Sequence, residues 1–488
     1  MASELKLVWS HTRVYGLATA LNRGAGLLLV PLYGHILSVD DFGLYALVTM
    51  VSDLAGVLLG MEIANSMVRV YFDHEEEQEQ NRVVSTAVWA SIGLIATIAA
   101  LSSPLAWAAC EALFHSQGHH ALFRLALLGM IFHVLFSIDL NYLRIQKRPW
   151  AFLWVSLAKS LTLLSLNLFF VAGLHMGVWG IVWGTLLSIG LVSLVTTATI
   201  IRRVGRAFSG QALVSMFRFG LPLMPATLSD VVVNAADKYF LNRLIAIALV
   251  GEYALANRLA SLLHMFVTGP FAQIWVVRRL ETLGKSDTNE PFTGIFSTFI
   301  AVLTGAALAL SLFAPELLRL LASAEYGAAV AVVPLLCLGY ILLAINLHFQ
   351  ITLFHAKRTQ LVLVVSFACM VANLPLNYLL IRSNGLVGAG TAMVLTNLLR
   401  ALLTAWMGYL YCPRRVEFEW RRVAAIVVVA VAVYLPSRLW IGTEVSAGGL
   451  LAKGACLLLF AALVLLTPIT RPDDRRQIGD LVRRLRRA

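Results

Sequence analysis

From about residue 14 to residue 468 the chain is a succession of nearly uncharged stretches, each of ~20 residues, broken by short polar segments. Twenty residues rising about 1.5 Å each match a hydrocarbon layer of about 30 Å. Inside such a layer every backbone N–H and C=O must be satisfied by the chain itself, which leaves a bundle of helices as the solution. Composition points the same way. The 488 residues are 59% hydrophobic and 13% charged, against roughly 25% charged in soluble domains. A water-facing surface could not be covered. The expected fold class is therefore an all-α polytopic membrane protein of about fourteen transmembrane helices. The first twelve spans are read near 14–37, 42–68, 83–110, 120–143, 150–174, 178–201, 214–240, 247–276, 292–314, 328–354, 360–381 and 386–411. The last two are near 423–441 and 447–468. No polar stretch reaches the ~50 residues that a separate folded domain needs. The first span lacks a small-residue cleavage pattern, so it is expected to be retained.

The net charge is +12. In a soluble chain that would suggest nucleic acid. Here the cations fall in short loops, and no nucleic-acid partner is expected. With the N-terminus in the cytoplasm, the loops after even-numbered spans hold Arg144, Lys147 and Arg148; Arg202, Arg203 and Arg206; Arg278, Arg279 and Lys285; Lys357 and Arg358; Arg414, Arg415, Arg421 and Arg422. The tail adds seven arginines from Arg471 to Arg487. The opposite loops hold chiefly Arg243, Arg319, Arg382 and Arg438. Positive charge gathers on the cytoplasmic side of membrane proteins, so both termini are expected there. The five cysteines, Cys110, Cys337, Cys369, Cys412 and Cys456, lie scattered in apolar stretches and read as small core hydrophobes.

The chain repeats itself. Gly43-x-Tyr45-Ala46-Leu47 returns as Gly251-x-Tyr253-Ala254-Leu255, 208 positions on. Lys147-Arg148 returns as Lys357-Arg358 and Leu166-Asn167-Leu168 as Leu376-Asn377-Tyr378, both at 210. Gly177-x-x-Gly180 returns as Gly385-x-x-Gly388 at 208, and Tyr15-Gly16-Leu17 as Phe219-Gly220-Leu221 at 204. Order is kept, and the offsets drift only where loops absorb them. One copy spans six helices, an even number, so both copies enter the membrane from the same side and form two parallel repeats. Domains are expected at 1–206 and 207–412, with 413–488 supplying two additional helices and a basic tail.

Charges inside spans are expensive and mark pathways. Arg23 lies mid-span in the first helix, on one face with Tyr15, Thr19, Asn22 and Gly26. Lys159, Arg258 and Arg400 lie in the fifth, eighth and twelfth spans. Four cations in a low-dielectric setting favour an anionic ligand, and arginine suits phosphate or carboxylate in bidentate contact. The seventh span is the most polar. Asp230, Asn234, Asp237 and Lys238 share one helical stripe, which is either an internal ion pair or a cavity lining. Pro222 and Pro225 should bend or break this span. Asp53, Glu62 and Arg69 lie along the second span, with Glu62 and Arg69 on one face and able to pair. His133, His264 and His348 are isolated and read as core histidines. No nucleotide-binding loop, metal constellation or nucleophile elbow is present in the sequence, so no enzyme activity is expected.

The segment from Arg23 to Leu47, "RGAGLLLVPLYGHILSVDDFGLYAL", resembles the opening of the Wzx-type polysaccharide (O-antigen and exopolysaccharide) flippases. These belong to the multidrug/oligosaccharidyl-lipid/polysaccharide exporter superfamily. The resemblance rests on Arg23, on Pro31-Leu32-Tyr33 and on Leu37-Ser38-x-x-Asp41-Phe42-Gly43-x-Tyr45, and it extends over the first twelve spans. It implies two six-helix bundles around a cationic central cavity. It also implies alternating access and movement of an undecaprenyl-pyrophosphate-linked oligosaccharide across the bacterial inner membrane. On that resemblance Arg23 and Arg258 match cavity arginines that contact pyrophosphate or acidic sugars. Asp41 matches an acidic residue near the first periplasmic loop. Lys159 and Arg400 join the cavity cations by burial. Asp41, Asp53, Asp230, Asn234, Asp237 and Lys238 are the gating or coupling candidates. Expected partners are the lipid-linked glycan, membrane lipids and other polysaccharide-biosynthesis proteins. No cofactor is expected, and any energy coupling would come from a proton or sodium gradient. Two other readings stand beside this one. A cation-coupled multidrug exporter would use acids such as Asp53, Asp230 and Asp237, but the first span holds no acid between Arg13 and Asp40. A membrane glycan polymerase or ligase would need a larger outside loop.

Overall fold

The computed structural model describes residues 24, 26–59, 61–282, 289–411, 418–441 and 446–466. These residues are helical almost throughout, with no strand among them. In chain order the helices are α1 (Gly26–Ile36), α2 (Val39–Leu59), α3 (Met61–Tyr71), α4 (Glu77–Phe114), α5 (His120–Ile145), α6 (Pro149–Asn167), α7 (Gly177–Val204), α8 (Gly210–Gly220) and α9 (Met224–Leu244). There follow α10 (Ile247–Leu262), α11 (Gly269–Thr282), α12 (Asn289–Leu312), α13 (Ala314–Leu321), α14 (Ala329–His355), α15 (Thr359–Tyr411), α16 (Trp420–Ile441) and α17 (Ala447–Leu466). Among the described residues eleven helices are long and apolar enough to cross a bilayer, or twelve if the bent pair α8–α9 counts as one span. The 53-residue α15 is two helices joined at Gly385, whose φ of 56° and ψ of −129° are not helical. The seventh span breaks where its prolines stand. The bend between α8 and α9 is 52°, and a proline occupies the first turn of α9, where no backbone N–H is missed.

Contacts divide the chain into two compact units, Met1–Gly251 and Glu252–Ala488. The division falls later than the boundary expected at 206/207, and α8 and α9 pack on helices of the first unit. Ala212 and Met216 of α8 are buried with Met67 of α3, Val84 and Ala87 of α4 and Ile138 of α5 in one apolar cluster. In the second unit, Leu308 and Leu312 of α12 pack with Ile426 and Val433 of α16 and Phe460 of α17.

Inside each unit the repeat recurs as the same local bonds. Lys147 and Lys357 both take positive φ, 51° and 56°. The N–H of Lys147 donates to Arg144 O and that of Arg148 to Leu143 O, and Lys357 and Arg358 bond Phe354 O and Leu353 O in the same way, all at 3.0 Å. This is the 6→1, 5→2 pattern that ends a helix with a left-handed residue. The Lys-Arg pair is thus a helix stop as well as a loop charge. Asn167 and Asn377 are both buried, and each side chain donates to the carbonyl four residues earlier, Leu163 O at 2.8 Å and Asn373 O at 3.1 Å. Thr197 Oγ1 donates into the carboxyl of Asp139, 3.0 Å from each oxygen, while Thr404 Oγ1 donates to Asn346 Oδ1 at 2.7 Å. An amide in one repeat fills the place of a fully buried acid in the other. Asp139→Asn should therefore change thermal unfolding in detergent by less than about 1 kcal/mol. Asp139→Leu strands the Thr197 hydroxyl and should cost about 1–3 kcal/mol.

The repeated glycine motif has a steric cause. A Cβ on Gly43 would lie 2.2 Å from Ile247 O, and a Cβ on Gly251 would lie 2.2 Å from Val39 O. Val39 and Ile247 are themselves repeat-mates at 208. The first turns of α2 and α10 therefore cross closely, and each glycine clears the partner's carbonyl, with Ile247 Cγ1 also 3.0 Å from where a Gly43 Cβ would lie.

An ion pair ties α17 to α13. Lys453 Nζ of α17 lies 2.6 Å from Glu316 Oε1 of α13, with side chains 3% and 14% exposed. A buried pair broken on one side leaves an uncompensated charge. Lys453→Met should lower stability by roughly 3–5 kcal/mol, and the double replacement Lys453→Met/Glu316→Leu should restore most of the loss. Thermal unfolding of the two variants side by side checks this.

Candidate functional site

Six polar side chains of the first unit line a cavity of 260 Å³ among α2, α5 and α7. Its floor begins with α2. Ser38 precedes this helix and Asp41 is its third residue. Ser38 Oγ accepts from the Asp41 N–H at 3.1 Å and donates to Asp41 Oδ2 at 3.0 Å. This reciprocal cap, with Asp40 and Asp41 in the first turn at the positive end of the helix, fixes where α2 starts. Asp41 therefore has a structural task whatever else it does. The fixed start sets the helical phase. Tyr45, Thr49, Ser52 and Asp53 then fall on one face, and all four line the cavity.

α5 adds His133 and α7 adds Thr185. Two lysines stand within electrostatic range. Lys238 of α9 acts on Asp53, and Lys159 of α6 acts on His133. The α9 stripe is knit along its own helix. Asn234 Nδ2 donates to Asp230 O at 2.8 Å, Lys238 Nζ to Asn234 O at 3.4 Å, and the Lys238 N–H to Asp237 Oδ1 at 2.7 Å. Of the expected site residues, the structure thus sets Asp53 within electrostatic range of Lys238 and Lys159 within that of His133, which lines the cavity and is not the isolated core histidine that the sequence suggests.

Glu62 and Arg69 do not pair. Arg69 bonds Asp73, one turn further on. Glu62 instead accepts from Thr227 Oγ1 at 3.0 Å, just beyond the break between α8 and α9. A carboxylate across from the bent span replaces the expected intrahelical partner, because i+4 lies closer on a helix than i+7.

Arg258 and Arg400 belong to the second unit and both are half-buried. Beside Arg258, Asn257 Oδ1 accepts from Tyr340 Oη at 3.1 Å. Arg400 O accepts from Thr404 Oγ1 at 2.8 Å, in the same turn that holds the Thr404–Asn346 bond. Arg23 lies outside the described residues. His348 is fully buried against Phe296, with ring centroids 4.3 Å apart, and His264 stacks on Tyr340. Cys110, Cys337 and Cys369 are buried and Cys456 partly so, while Cys412 lies outside the described residues. No group of three or more metal-ligating side chains occurs among the described residues.

The sequence matches the model of the polysaccharide biosynthesis protein family over residues 34–277. No curated protein matches it. Among solved structures, the inward closed conformation of the lipid II flippase MurJ superposes with a TM-score of 0.74 at 14% identity, covering 92% of this chain and 98% of that one. An inward-facing multidrug resistance MATE family transporter of the MOP superfamily gives 0.62 at 18% identity, covering 84% and 94%. An outward-facing form of such a transporter gives 0.59 at 17% identity, covering 85% and 96%. At these identities the likeness is one of fold. That fold has been solved in MATE transporters facing both sides.

Proposed function

The chain belongs to the polysaccharide biosynthesis protein family, and from that premise we propose that it is a flippase for a lipid-linked oligosaccharide. It moves an undecaprenyl-pyrophosphate-linked glycan from the cytoplasmic to the periplasmic leaflet of the inner membrane, by alternating access and without chemical conversion of the cargo. On this reading it spans the bilayer about fourteen times with both termini cytoplasmic, an orientation that the loop arginines support. The observation that carries this reading is the cationic set held within spans. Lys159, Arg258 and Arg400 lie on apolar helices, and Lys238 lies on the polar stripe of α9. Charge at membrane depth persists where it serves a pathway, and cations in a low-dielectric setting serve a pyrophosphate. The broken seventh span supports it further. Irregular backbone at membrane depth is tolerated where it borders a cavity, and the bend precedes the polar stripe of α9.

Export of surface glycan by complementation tests the reading, with membrane abundance of the protein measured in parallel. Wild-type protein restores export. If it does not, and instead confers resistance to cationic drugs, the reading gives way to a cation-coupled exporter of the same fold. The acids Asp53, Asp230 and Asp237 would then be the coupling groups.

A further inference from the structure

The 260 Å³ cavity of the first unit has a chemistry of its own. Its walls carry one carboxylate, one imidazole and several hydroxyls. Thr49 spends its hydroxyl on Ala46 O at 2.9 Å. The side chains of Ser52, Asp53, His133 and Thr185 make no hydrogen bond to another described residue. They come from three different helices and face one space. Ser52, His133 and Thr185 are half-buried and Asp53 is exposed, so their unused donors and acceptors are open to a polar occupant.

The charges narrow the choice. A phosphate would meet Asp53 head-on. A metal ion would meet Lys159 and Lys238, and the described residues offer no cluster of ligands for one. The volume is below the roughly 300–1,000 Å³ of pockets for drug-sized ligands. A neutral polyhydroxylated ring suits all of these constraints. Hydroxyls both donate and accept, so they can satisfy a carboxylate, a histidine and two alcohols together. Tyr45 and Met130 supply apolar surface for a ring face.

We propose that this cavity is a sugar subsite, which seats one neutral sugar residue of the transported glycan. Asp53 accepts from ring hydroxyls at the open end, where its side chain is exposed. Ser52, Thr185 and His133 bond the ring further in. This rests on the flippase reading and extends it. The pyrophosphate is held by cations, and the glycan is sampled separately inside the first unit.

The test uses the full chain in lipid nanodiscs and saturation-transfer NMR with a panel of neutral methyl glycosides. Inorganic pyrophosphate forms a separate arm. At least one glycoside should bind wild-type protein in the millimolar range. Asp53→Asn should weaken that binding by about tenfold, and Ala126→Phe, which fills the cavity from its apolar wall, should abolish it. Both variants should keep the wild-type unfolding temperature and pyrophosphate binding. Absence of glycoside binding to wild-type protein overturns the subsite, as does binding that survives Ala126→Phe. So does a result in which Asp53→Asn and His133→Gln shift only the pH dependence of export, which would make the cavity a proton relay. Loss of pyrophosphate binding in wild-type protein would instead strike the flippase reading and leave sugar binding to be judged by its own arm.

Discussion

Arg258→Ala should abolish surface-glycan export while the protein still accumulates in the membrane at wild-type abundance. Arg258 stands on α10, seven residues beyond Gly251 and therefore on the same helical face. It is half-buried in an apolar helix, a costly place for a guanidinium that serves no pathway. Truncating one partner of a desolvated charge pair costs about 2–5 kcal/mol, on the order of 100-fold or more in binding. Arg258→Lys should fall between the two, because lysine keeps the charge and loses the planar fork that grips two phosphate oxygens at once. Arg23→Ala should behave like Arg258→Ala. Full export by both alanine variants at normal abundance would remove the anionic cargo from the account.

Gly251→Val should also stop export, through geometry rather than charge. The atom that a Cβ would strike is a backbone carbonyl, Val39 O at 2.2 Å, with Gly43 N at 3.1 Å behind it. Nothing flexible stands there to move aside. Overpacking a tight contact by one methyl costs roughly 1–3 kcal/mol, and a β-branched side chain at this crossing should cost more. Gly43→Val meets Ile247 O in the same way and should match it. Gly251→Ala should leave partial export. The glycines hold the first turns of α2 and α10 together in this conformation, so the valine variants should persist in the membrane yet fail to cycle. Normal export by Gly251→Val would show that the close crossing is dispensable.

Much of this was legible in the residues, for physical reasons that differ from place to place. The Gly43 and Gly251 motifs were visible because a helix crossing this close to the partner's carbonyl favours glycine, and glycine leaves a mark in the sequence. The break in the seventh span followed from Pro222 and Pro225, whose effect is local. The Lys147 and Lys357 turns were visible as a repeat but not as left-handed stops, since lysine is not the residue that usually takes positive φ. The pairing of Glu62 with Arg69 failed because Asp73 lay a turn nearer to Arg69 and because Thr227 reaches Glu62 only after α8 and α9 fold back. His133 looked isolated for the same reason. Its neighbours Ser52, Asp53 and Thr185 arrive on other helices, and no spacing in the chain announces them. The bond between Thr197 and Asp139 was equally silent until the repeat set it beside Thr404 and Asn346.

The central claim is movement of a pyrophosphate-linked glycan between leaflets. Its most direct test is reconstitution of the pure protein into proteoliposomes carrying a lipid-linked oligosaccharide in one leaflet. A membrane-impermeant glycosidase then reports glycan arriving on the other side. Wild-type protein should deliver it, Arg258→Ala and Gly251→Val should not, and a cationic drug enclosed in the same vesicles should stay where it is. Export of the drug with the glycan left in its original leaflet would contradict the account.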